Sequence, residues 1–268
     1  MDDTLRSEIA AIARDSRSGA TELVGRAVAV LRAAALDRAA LGEVADELCR
    51  AQPSMAGVRV AADIARRSPD PVTGLEAFAM RVARAPGAIA RHAVALLKLR
   101  RRDGPIRLVT CSRSAAVELT IRELVREIAV EVACCEGRPA LEGRDLAAAL
   151  ATTGVDVSLY TDAGVATALV GAEAFLTGAD AIGPDAFINK VGTAALAALA
   201  SLEGVPVYVL AGREKFLSGE MFSQLPVHTG PPAEVWSDAP AGVVCRNPYF
   251  EHIRTTLVAA FVTDGGVR

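Results

Sequence analysis

The chain has 268 residues, of which 51% are hydrophobic and only 4% aromatic, and a formal net charge of -3. That length supports one large domain or two small ones with a sizeable core, and the slightly acidic balance argues against a nucleic-acid-binding face. No apolar run is long enough to span a membrane without charges or glycines, and the acidic start has no signal-like apolar segment, so a cytoplasmic protein is expected. The five scattered cysteines, Cys49, Cys111, Cys134, Cys135 and Cys245, contain no CxxC and suggest neither a disulfide framework nor a zinc site.

The first hundred residues carry apolar side chains at helical spacing. Helices are expected over 18–31, 41–48, 57–64, 74–83 and 88–99, with Pro and Ser between them. A basic cluster of Lys98, Arg100, Arg101 and Arg102 then precedes Asp103-Gly104-Pro105, and reads as the cationic last turn of a helix. After Pro105 the pattern changes. Short β-like runs at 106–110, 128–135, 155–160, 174–177 and 205–210 alternate with helical segments at 115–126, 144–152, 164–170 and 193–202. The expected fold is α/β: an N-terminal helical domain over 1–103, then a Rossmann-like, mainly parallel sheet with helices on both faces over 104–268. Ligands of such sheets bind beyond the carboxyl ends of the strands, which places the chemistry just after Thr110, Cys135, Thr161, Thr177 and Leu210.

The residues at those ends are polar in a way that suits a phosphorylated small molecule. Thr110-Cys111-Ser112-Arg113-Ser114 puts a thiol at a strand end, near an Arg and ahead of a helix. That position fits a lowered thiol pKa and a phosphate-binding turn; it fits equally a small buried Cys111 beside an ordinary Ser112 or Ser114 helix cap. Asp180 follows another strand and is either a turn-capping Asp or a proton donor. Asn189-Lys190 offers directional hydrogen bonds and charge, or a solvated surface Lys. Lys215, after the last clear strand, is a further phosphate ligand candidate, while Arg213 either assists it or pairs with Glu214. None of His92, His228 and His252 sits in a catalytic or metal-binding spacing, and neither GxGxxG nor GxxxxGK[ST] occurs.

Several blocks carry a family resemblance. Gly178-Ala179-Asp180-Ala181-Ile182 running on to Asn189-Lys190-Val191-Gly192-Thr193 is the most specific. Cys135-Glu136-Gly137-Arg138-Pro139 with Glu142-Gly143-Arg144, Tyr160-Thr161-Asp162, Asn247-Pro248-Tyr249-Phe250-Glu251 and Val262-Thr263-Asp264 extend it. Together they resemble the family that joins the alpha, beta and delta subunits of translation initiation factor 2B to isomerases of methylthioribose 1-phosphate and ribose 1,5-bisphosphate. The resemblance implies an aldose–ketose isomerase, most like the ribose 1,5-bisphosphate enzyme, with Asp180 as acid and Cys111 as thiolate base. It implies that Asn189, Lys190, Lys215 and the Ser112-Arg113-Ser114 turn hold phosphate and hydroxyls. Arg17, Gly19 and Ala20 correspond to an Arg-Gly-Ala phosphate segment, with Ser18 inserted here. Arg138 and Asp162 are expected to be architectural or to support the site residues from behind, near a dimer interface. No metal or redox cofactor is implied, and a homodimer or higher two-fold oligomer is. The family's other branch implies an alternative, a non-catalytic regulatory protein that binds a sugar phosphate or nucleotide.

Overall fold

The computed structural model describes residues 3–15, 18–35, 37–101 and 104–268. Five helices come first: α1 (Asp3–Arg14), α2 (Ala20–Ala34), α3 (Arg38–Ala51), α4 (Ala56–Arg67) and α5 (Pro71–Lys98). Their apolar faces share one core in which Ile12, Leu31, Leu48, Val58, Leu75 and Phe78 are buried. The sequence predicts two helices over 74–83 and 88–99; the structure merges them into α5, with Pro86 inside it. Pro86 has no N–H to give the Val82 carbonyl, a loss that normally kinks or ends a helix. Tertiary packing outweighs it. The first half of α5 is held in the helical core through Leu75, Phe78 and Val82, and the second half packs on the sheet through Ile89, Ala93 and Leu97.

The remainder follows the alternating pattern: β1 (Ile106–Cys111), α6 (Ala115–Leu124), β2 (Val130–Cys135), α7 (Glu142–Ala151), β3 (Asp156–Tyr160), α8 (Val165–Ala168), β4 (Ala174–Thr177), β5 (Ala181–Ile182), β6 (Ala186–Lys190), α9 (Thr193–Leu202), β7 (Val207–Leu210), α10 (Gly219–Ser223), β8 (Phe250–Arg254), β9 (Ala260–Thr263) and β10 (Gly266–Val267). Seven strands form the main sheet in the order β10-β9-β7-β4-β1-β2-β3, parallel except for β10. Alternate residues of one strand face opposite layers. Leu108 packs with α5, α6 and α7, while its neighbour Val109 packs with α8 and α9.

Several boundaries shift from the sequence pattern, three of them for a visible local reason. Residues 128–129 close a turn on α6, since the Ile128 N–H bonds the Leu124 carbonyl, so β2 starts at Val130. The Val205 N–H likewise bonds the Ala200 carbonyl, and β7 starts at Val207. The helix expected over 164–170 is a 3-10 turn at Asp162–Gly164 followed by the short α8. A second, antiparallel sheet of β5, β6 and β8 is the main feature the pattern does not contain. It places Asn189 and Lys190 at the end of a strand, not at the start of a helix.

The helical part meets the sheet part through specific hydrogen bonds. Ala56 N–H, at the start of α4, donates to the Asp180 carbonyl at 3.1 Å. The buried Ser54 hydroxyl donates to the Pro226 carbonyl at 2.7 Å and accepts from the His228 N–H at 3.0 Å. Ser54→Ala leaves both of those backbone groups without a partner, at a cost of about 1–3 kcal/mol. The expected result is a lower urea midpoint at unchanged m-value; an unchanged midpoint would show that water replaces the hydroxyl.

Candidate active site

A cavity of about 390 Å³ lies between the helical part and the carboxyl ends of β1, β4 and β7. That is within the usual range for a small-molecule site. Of the residues singled out in the sequence, Gly19, Ala20, Ser112, Arg113, Ser114, Asp180, Asn189, Lys190 and Lys215 all line it. Arg17 lies outside the described residues. Cys111 is not in the lining.

Two helices start at the cavity wall with no side-chain cap. Gly19 is the N-cap of α2 and Ser114 that of α6, and neither makes a capping side-chain bond. Their first residues, Ala20, Thr21, Ala115 and Ala116, line the cavity, so the positive ends of both helix dipoles lie at its wall, which suits an anion. Ser112 adopts φ 60, an unusual left-handed conformation at the strand-to-helix turn. Arg113 turns to Glu118 at 3.3 Å.

Cys111 sits one residue behind that turn and is 9% exposed. Its Sγ is 3.6 Å from Thr193 Oγ1. The Thr193 hydroxyl donates its single hydrogen to the Lys190 carbonyl at 2.6 Å and accepts from Asn189 Nδ2 at 3.0 Å; Asn189 also donates to Thr177 Oγ1 at 2.9 Å. With that hydrogen committed, the Cys111 S–H is the donor to Thr193, which suits a thiol. Burial pushes the Cys111 thiol up, to about 11. The lowered thiol pKa expected from sequence is thus not the state of this conformation: burial outweighs the helix terminus, and Arg113 is engaged with Glu118. Cys134 and Cys135 are likewise pushed up by burial, each to about 12.

Asp180 faces the cavity from the loop between β4 and β5, held by its N–H to the Ile188 carbonyl at 2.8 Å. Burial raises its carboxyl above the usual aspartate range; Lys215 and Lys190 oppose this and Glu142 adds to it. Lys215 donates its Nζ to the Ala179 carbonyl. Lys190 is 4% exposed, pairs with Glu142 Oε1 at 2.8 Å and lies 5.3 Å from the centre of the Tyr249 ring. Arg213 pairs with Asp264 at 3.0 Å and not with Glu214.

Among the cavity residues that carry no functional expectation from sequence are Glu142, Glu214, His228 and Tyr249. Glu142 lies within the Glu-Gly-Arg block and Tyr249 within the Asn-Pro-Tyr-Phe-Glu block, so motif membership was the available signal. Nothing in the local sequence marks Glu214 or His228. Asp162 is architectural: its two oxygens accept the Gly137 and Arg138 N–H groups at 2.9 and 2.7 Å, and Arg144 pairs with Glu136 at 2.7 Å. Among the described residues no group of three or more His, Cys, Asp or Glu is placed to hold a metal ion, and no helix is long and apolar enough to cross a membrane.

Fold and site together define an α/β protein with a cleft of small-molecule size between a helical layer and the strand ends of its sheet. More particularly, the chain belongs to the initiation factor 2 subunit family, whose sequence model matches residues 4–268. It is 29% identical over 170 residues to the ribose 1,5-bisphosphate isomerase of Methanocaldococcus jannaschii, covering 62% of this chain and 55% of that protein. It is 36% identical over 142 residues to the 5-deoxyribose 1-phosphate isomerase of Moorella thermoacetica, covering 49% and 40%. The matches thus span about half the length of these relatives. The fold is that of the translation initiation factor eIF-2B of Pyrococcus horikoshii, with a TM-score of 0.86 at 23% identity over 100% of this chain and 97% of that one. The 5-methylthioribose 1-phosphate isomerase of the same organism has a TM-score of 0.73 at 19% identity, covering 98% and 83%.

Proposed function

We propose that this protein is an aldose–ketose isomerase acting on a pentose 1-phosphate, with ribose 1,5-bisphosphate the first candidate. The observation that carries this reading is the pairing, in one cavity, of a buried carboxyl, raised above the usual aspartate range, with two uncapped helix N-termini and Lys215. The helix termini, Ser112, Ser114 and Lys215 suit phosphate; Asn189 and Lys190 suit ring hydroxyls.

A phosphate on the anomeric oxygen blocks spontaneous ring opening, so the ring oxygen must be protonated for the C1–O4 bond to break. Asp180 gives that proton. Cys111 takes the proton from C2, forming a C1–C2 enol. The C2 hydroxyl then returns its proton to Asp180 while Cys111 delivers its own to C1, leaving a ketose 1-phosphate. Protons balance over the cycle, and both side chains return to their starting states. For Cys111 to begin as a base, ligand binding must offset the burial that keeps the enclosed thiol protonated at neutral pH.

That same enclosure favours a second reading, a ligand-binding regulatory protein without turnover, as in the initiation-factor branch. Phosphorus-31 NMR of wild type with ribose 1,5-bisphosphate, 5-deoxyribose 1-phosphate and methylthioribose 1-phosphate separates the two. Conversion of any of them to its ketose supports the isomerase. Saturable binding of all three without conversion supports the regulatory protein.

A further inference from the structure

Glu142 is the cavity residue whose surroundings demand an explanation. It is the first residue of α7, and the turn that presents it is rigidly built. Gly137 and Leu141 both take positive φ, 76 and 64, and the carboxylate of Asp162 holds the Gly137 and Arg138 N–H groups. The Gly143 N–H bonds the Glu136 carbonyl at 3.1 Å. An acidic side chain at the first turn of a helix is favourably placed against the helix dipole. One oxygen of Glu142 holds Lys190 Nζ at 2.8 Å, and the other is buried without a hydrogen-bond partner among the described residues.

We propose that Glu142 is a positioning residue for Asp180 and Lys190. Its carboxylate cancels the Lys190 charge beside Asp180, so that Asp180 serves as the proton donor and Lys190 as a fixed hydrogen-bond donor instead of a free cation. The proposal rests on the reading above only in giving Asp180 the donor's role.

The groups around Asp180 come from every element packed on it. Lys215 follows β7, Lys190 ends β6, Glu142 begins α7, and His228 shares a small recess with Asp180. Glu214 lines the same cavity and is 9% exposed. From α4, whose first N–H reaches the Asp180 carbonyl, Arg59 acts on Cys49. Two lysines thus press Asp180 to ionise, and Glu142, bound to one of them, opposes both. The cavity divides its carboxylates by environment. Glu142 sits on a helix terminus and holds a lysine, while Asp180 lies in an enclosed pocket that raises its carboxyl above the usual aspartate range; different surroundings are how one site holds a base-like and an acid-like carboxyl together.

The test is the titration of Asp180 itself. Protein labelled with carbon-13 at aspartate carboxyls, with the Asp180 signal assigned by its loss in Asp180→Asn, gives its midpoint without any need for turnover. Glu142→Gln is expected to lower that midpoint by about one pH unit or more, and Glu142→Asp to restore most of it. Lys190→Met should move it the opposite way, and the Glu142→Gln, Lys190→Met double variant should return close to wild type. In an active enzyme the high-pH loss of kcat/KM moves to lower pH in Glu142→Gln by the same amount. An unmoved Asp180 midpoint in a folded Glu142→Gln protein overturns the proposal, as does a double variant whose midpoint stays as low as that of Glu142→Gln alone. A moving midpoint with no isomerase activity would count against the reaction proposed above and leave this role standing.

Discussion

Asp180→Asn is expected to lower kcat/KM by about 10²–10⁴, the range of a lost general acid, with little change in phosphate affinity. The amide keeps the shape and the loop, so the loss reports proton transfer. The same variant should be more stable than wild type at pH 7. The sign follows from the carboxyl being raised in the folded state: the folded protein holds a proton that the unfolded chain releases near the ordinary aspartate value of about 3.9. Stability from this group is therefore greatest at low pH and is lost as pH rises from that value through the folded one. Asparagine removes the dependence. Thermal melts of both proteins at pH 4 and pH 7 check it: the advantage of Asp180→Asn should be present at pH 7 and shrink at pH 4. A variant that stays fully active, or is less stable at pH 7, would remove Asp180 from the role of a protonated donor.

Gly143→Ala should be the most damaging single methyl in the sheet part. A Cβ at Gly143 would lie 1.8 Å from the Cys135 carbonyl oxygen and 2.9 Å from two backbone carbons, so no side-chain rotation relieves the clash. The backbone between β2 and α7 must move, at a cost of about 1–3 kcal/mol or more. Because that turn presents Glu142, the pairing with Lys190 is displaced along with it. Gly42→Ala is the control. It lies within α3, and its Cβ would meet nothing within 4 Å, so a helix-favouring gain of about 0.5–1 kcal/mol is expected. Urea unfolding of the two variants should give shifts of opposite sign; equal shifts would mean that the β2–α7 turn is plastic.

Much of this architecture could be read from local pattern, because alternating short apolar runs and helical periods are local properties. The second sheet could not. β5 has two residues, and β6 pairs with β8 some sixty residues later, so neither strand announces its partner. Likewise the polar residues after β1 and β4 were legible as a site from their positions at strand ends. The environment of each was not. Whether Cys111 is activated depends on where Arg113 points and how deeply Thr193 covers the sulfur, and both are set by packing. Glu142 escaped a role for the same reason: its contact with Lys190 joins residues 48 apart in the chain.

The shared helix α5 has a mechanical consequence. Its first half completes the core of the helical bundle and its second half completes one face of the parallel sheet. Neither core can lose the helix without exposing Phe78 or Leu97, and a single rigid rod couples the two. Melting should therefore appear as one cooperative transition, not two, with heat capacity and circular dichroism reporting the same midpoint. A cut after α5 would strip the sheet of the wall formed by Ile89, Ala93 and Leu97 and leave that apolar face bare on the bundle.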